Sequence, residues 1–186
     1  MSNNRSTPKA RASVYAHVLF DASKTSGGKE GAVQARNELA DIISVLSENV
    51  DARSVLASAD ANTEDKLKLA SVLIQSVSEE VKAIFNSIVE NGEVQNLKLV
   101  FNELESLISE ELKVCVVDVT TSVELNDALR EQIKDKAKRE LGMDAILNEK
   151  IDSSILGGIV MSVNGKCIDA SMITQLNRAR AVLKAS

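Results

Sequence analysis

Lys113-Val114-Cys115-Val116-Val117-Asp118-Val119-Thr120-Thr121 divides this 186-residue chain into two kinds of pattern. Valine and threonine fill six of those nine positions, and β-branched side chains favour the pleated, half-buried surface of a strand. N-terminal to it, apolar residues recur every three or four positions, the spacing of helices that bury one face. C-terminal to it, helical and alternating segments are interleaved. The pattern predicts an α+β chain: a six-helix bundle over 1–111, then a small α/β domain with a mixed sheet over 112–186.

In the first part, Thr7-Pro8 supplies an N-cap and a proline at the first helical position, where no hydrogen bond is lost. A helix over 8–24 follows, with Ala12, Tyr15, Ala16, Leu19 and Ala22 along one face and Val14 and Val18 as a second apolar strip. Gly27, Gly28 and Gly31 interrupt it as an interhelical loop. The second helix carries Val33, Leu39, Ile42, Ile43, Leu46 and Val50, and a short third covers about 51–58. Asn62 caps the fourth, which bears Leu67, Ala70, Leu73, Ile74 and Val77. The fifth runs from Ser78 to the Asn91-Gly92 stop, and the sixth, bearing Leu97, Val100, Phe101, Leu104, Leu107 and Ile108, ends near 111.

In the second part, Leu125, Leu129, Ile133, Ala137 and Leu141 mark a helix that Gly142 stops. Strands are predicted over about 145–151, 159–163 and 166–169. The last two are joined by Asn164-Gly165, a dipeptide suited to the positive φ of a tight hairpin. Ser171 caps a final helix bearing Ile173, Leu176 and Leu183.

Charge and composition exclude several function classes. The first part carries 11 basic and 17 acidic residues, and the four aromatics, Tyr15, Phe20, Phe85 and Phe101, all lie in it. The second, near-neutral part therefore lacks the rings and basic surface that hold nucleic acid. No apolar run approaches the ~18 residues of a membrane span, and the N-terminus lacks the pattern of a secretory signal, so a cytoplasmic protein is expected. Cys115 and Cys167 lie in strand-like runs and read as small hydrophobes. With two thiols and one histidine, neither a metal site nor a cofactor is expected.

Catalytic material is equally sparse. His17, the single histidine, reads as a surface or bundle-edge residue. Ser26-Gly27-Gly28-Lys29 lacks the full phosphate-loop spacing, and Gly157-Gly158 serves a bulge or a close approach. Glu79-Glu80 and Glu110-Glu111 read as solvated charges at helix ends. What remains is surplus apolar surface: Val14 and Val18 on the first helix, and the small residues Ala83 and Ser87 on the fifth. Side by side these strips form a shallow groove for an amphipathic helix from another protein, although periodicity equally allows them to pack inside the bundle.

Three stretches, ARASVYAHVLFDAS (10–23), IFNSIVENGEVQNLKLVFNEL (84–104) and KIDSSILGGIVMSVNGKCIDASMITQL (150–176), carry a family resemblance. With the order of elements, the chain resembles the delta subunit of bacterial F-type ATP synthases, the relative of the mitochondrial oligomycin sensitivity conferring protein. It departs from that pattern at Glu93, where arginine is usual, at Ala170, where glycine is usual, and at Ile173 and Gln175, where basic residues are common. The resemblance implies a non-catalytic stator subunit of a proton-translocating complex, one copy per complex, peripheral on the inner face of the cell membrane. Its N-terminal bundle would hold helices of alpha subunits on the catalytic head, and its C-terminal domain the b subunits of the peripheral stalk. Tyr15, Val18, Ala83 and Ser87 are the candidate alpha-subunit contacts, and Leu156, Ile173 and Leu176 the candidate stalk contacts. The competing class is a small cytoplasmic RNA-associated regulatory factor, which a salt-dependent RNA affinity would reveal; an enzyme is the least supported.

Overall fold

The computed structural model describes residues 7–153, 155, 159–163 and 166–169, and of 140, 141 and 166–169 the backbone alone. The chain is α+β and forms two compact units, one ending at Leu112 and the other starting at Lys113. Lys113 has φ +56°, a left-handed turn between helix and strand.

The first unit is helical: α1 (Pro8–Glu48), α2 (Val50–Ala57), α3 (Thr63–Leu73), α4 (Glu79–Glu90) and, after a 3₁₀ turn at Val94–Asn96, α5 (Leu97–Leu112). Thr7 caps α1, its hydroxyl accepting from the Ala10 N–H at 3.3 Å. The two helices expected between 8 and 50 are one element bent at Gly28, where φ 64° and ψ −142° depart from helical values. The bend brings Gly31 so close to the Ser23 carbonyl that a Cβ would stand 2.4 Å from its oxygen.

Past the bend, Val33, Leu39, Ile42 and Leu46 are buried as their spacing predicts, but Val50 opens α2 and is 57% exposed. Arg36 falls on the same buried face, one turn from Val33 and Leu39, and is 2% exposed. Its Nε donates to Glu105 Oε1 on α5 at 3.1 Å, a second nitrogen donates to the same oxygen, and its guanidinium lies 4.7 Å from the centre of the Phe101 ring. This network fixes α1 against α5.

α3 ends at Leu73, four residues before Val77. The chain turns there so that the Ser78 N–H and hydroxyl reach Glu38 Oε2 on α1, at 2.8 and 2.6 Å. The free N–H at the start of α4 is thereby satisfied. Asn62 caps α3 through the Glu64 N–H at 3.1 Å, and Gly92 stops α4 at φ +68°. Glu110 and Glu111 sit in the last turn of α5, where the helix dipole disfavours acids, so solvation alone carries them.

The second unit is a four-stranded mixed sheet, ordered β2-β1-β3-β4, with α6 (Asp127–Leu141) on one face. β1 (Val114–Thr121) pairs in parallel with β2 (Asp144–Ile151) and antiparallel with β3 (Ile159–Val163), which pairs antiparallel with β4 (Lys166–Asp169). The parallel pair needs a crossover, which α6 supplies. Val163 pairs with Lys166; the Asn164-Gly165 turn between them lies outside the described residues, as do Gly157-Gly158 and the expected final helix. Alternate residues of the strands, Cys115, Val117 and Val119 among them, pack with Leu125, Ile133 and Ala137. Leu129, expected on that buried face, sits in the first turn of α6 and is 36% exposed, while Leu125, just before the Asn126 cap, fills the core.

Arg130 ties α6 to β2 by donating to both Glu149 oxygens, at 2.7 and 3.0 Å. Those hydrogen bonds hold the Glu149 carboxyl below the usual carboxylate range. Burial pushes the Cys115 thiol up, so it stays protonated as a core hydrophobe.

Candidate protein-docking groove between α1 and α4

Two cross-links align the first half of α1 with α4. Arg11 Nη1 meets Glu93 Oε1, just past the end of α4, at 2.9 Å. Asn91 Nδ2 donates to Tyr15 Oη at 3.1 Å. Near the other end of the pair, the Ser26 hydroxyl holds the Glu80 carboxyl below the usual carboxylate range. Residue numbers rise along α1 as they fall along α4, so the two segments run antiparallel.

Helical spacing then places the remaining side chains. Arg11, Tyr15, Ala22 and Ser26 share the α1 face turned to α4, and Val18, three residues from Tyr15 and four from Ala22, is next outward. On α4, Glu80, Ser87 and Asn91 share the face turned to α1, with Ala83 next outward on the Ser87 side. Val14 and Val18 are 63% and 51% exposed, Ala83 is exposed, and Tyr15 and Ser87 are half-buried. The apolar strips therefore face solvent and are not consumed in the core. Beneath them Ala12, Ala16, Leu19, Val81, Phe85 and Ile88 are buried, which gives the surface a rigid floor.

Asn91 is the residue that sequence reasoning missed. The same amide nitrogen that reaches Tyr15 also donates to the Ser87 carbonyl at 2.8 Å, so this side chain joins two of the four candidate positions. In sequence it reads only as a helix stop. Glu93 was legible only as a departure from a family pattern; it is 8% exposed, and Arg11 supplies the counter-charge that its burial demands. Leu156, Ile173 and Leu176 lie outside the described residues.

His17 is exposed, with Nδ1 2.8 Å from the Ser13 carbonyl oxygen on its own helix. Among the described residues no cluster of three or more histidine, cysteine or acidic side chains could hold a metal ion, and no helix is long and apolar enough to cross a membrane.

Comparison with known proteins agrees with this architecture. The ATP synthase subunit delta of Lactococcus lactis is 27% identical over 174 residues, covering 93% of this chain and 97% of that protein. That of Histophilus somni is 30% identical over 169 residues, covering 88% and 91%. Among solved structures, a chain of the Toxoplasma gondii mitochondrial ATP synthase hexamer matches the fold with a TM-score of 0.53 at 20% identity, covering 94% of this chain and 98% of that one. The family model for the ATP synthase delta (OSCP) subunit matches residues 12–183, and the chain belongs to that family.

Proposed function

We infer that this chain is the non-catalytic stator subunit of an F-type ATP synthase, a bracket between the catalytic head and the peripheral stalk. Rotor torque would turn the head unless something anchored it, so the bracket must hold both partners at once. Two attachments in one chain make the second binding event intramolecular and raise the overall affinity above that of either contact.

In this reading the helical segments of the first unit close as one six-helix bundle. The exposed Val18 beside Tyr15, Ala83 and Ser87 is the observation that carries the head contact. An amphipathic helix of an alpha subunit would lay its apolar stripe along that surface, burying valine side chains that now face water. The second unit would hold the b subunits, with Leu156, Ile173 and Leu176 as contacts proposed from sequence alone. Membrane association is then indirect, through the complex.

Reconstitution tests the whole reading. Catalytic head stripped of this chain should retain the soluble part of the b subunits only when the chain is added back. Equal retention without it would overturn the bracket role.

A further inference from the structure

A second surface of the helical unit has a different chemistry from the α1–α4 groove. A cavity of about 520 Å³ opens where the end of α1, α2 and the start of α5 meet, a volume within the range of small-molecule sites. Leu46, Val94 and Leu97 line it and are buried, and the exposed Val50 forms part of its wall. Arg53 and Lys98 also line it, both exposed, and no carboxylate does. In a unit with 17 acidic and 11 basic residues, a cavity lined by two cations and no acid is a local reversal of sign.

We propose that this cavity binds a single-chain amphiphile with an anionic head, the head meeting Arg53 and Lys98 and the apolar tail lying over Leu46, Val50, Val94 and Leu97. The two-part lining selects a two-part ligand. A small anion alone would leave the apolar surface wet, and a cationic amphiphile would meet like charge. The site is independent of the α1–α4 groove and of the stator reading.

The test uses the full chain and dodecanoate below its micelle concentration, with dodecyltrimethylammonium and acetate as comparisons, followed by calorimetry and by methyl shifts of Leu46, Val94 and Leu97. Dodecanoate should bind saturably at one site and move those methyls, while neither comparison compound does. The double variant Arg53→Glu/Lys98→Glu, which alters only exposed side chains, should keep its helical circular dichroism and bind dodecanoate about tenfold or more weakly, since hydrogen bonds to charged groups are the strong ones. Absence of saturable binding, equal binding of the cationic compound, or unchanged affinity in the double variant would overturn the proposal. Sedimentation showing that the chain self-associates through Arg53 and Lys98 would also overturn it, by making a second copy the occupant.

Discussion

Replacing Arg36 by methionine tests the packing of the helical unit at its most sensitive point. Arg36 is 2% exposed, and methionine follows the aliphatic part of its stem but removes the guanidinium that bridges Glu105, Asn37 and the Phe101 ring. The Glu105 carboxylate, whose side chain is 11% exposed, then loses its cation while remaining largely desolvated. Breaking a buried pair from one side costs about 3–5 kcal/mol, a large share of the roughly 5–15 kcal/mol that holds a domain folded. Removing both charges with Arg36→Met/Glu105→Leu leaves no buried charge stranded, and the partly exposed Asn37 oxygen can turn to water, so the double variant should recover to within about 1–2 kcal/mol of the parent. Urea unfolding followed by circular dichroism at the helical band reads both numbers, with the slope of the transition checking that the same surface is exposed in each case. A loss below about 1 kcal/mol for Arg36→Met, or a double variant no better than the single one, would show that this pair does not fix α1 on α5.

Two further substitutions probe backbone and core. Gly31→Ala should destabilise by about 1–3 kcal/mol, because its Cβ must displace the Ser23 carbonyl, whereas Gly27→Ala, with no neighbour within 4 Å, should be neutral or slightly stabilising; equal effects in urea melts would contradict the bend geometry. Cys115, with its pKa raised by burial, keeps its proton in the folded chain at a pH where the unfolded chain has released it. Stability should therefore fall as pH climbs past the ordinary thiol value of 9.0, and Cys115→Ala should lose part of that slope. Iodoacetamide should reach Cys115 only after denaturant is added; rapid labelling of native protein would contradict its burial.

Element order was legible because period alone separates the helices from the strands, and because Asn62, Gly92 and Gly142 are punctuation with a local cause. Positions decided by tertiary contact were not. Arg36 and Lys66 look like surface charges, yet both are buried, Arg36 against the half-buried Glu105 and Lys66 donating to the carbonyl of the half-buried Ser58. The premature end of α3 depends on Glu38, forty residues before Ser78, which no local propensity encodes. At the groove, periodicity located the surplus strips on α1 and α4 but could not say whether they faced outward. The exposure of Val14, Val18 and Ala83 answers that, and Asn91 shows how a residue serving one element as a stop serves the next as a clamp.

The affinity of Val18→Asp for the catalytic head asks whether the α1–α4 groove is where the head attaches. Val18 is half exposed, so the isolated chain should keep its fold and its unfolding midpoint. Placed beneath an amphipathic helix, the new carboxylate would lose water without gaining a partner, and binding should weaken about tenfold or more. Unchanged affinity would remove Val18 from the interface, and with it the role assigned to this groove.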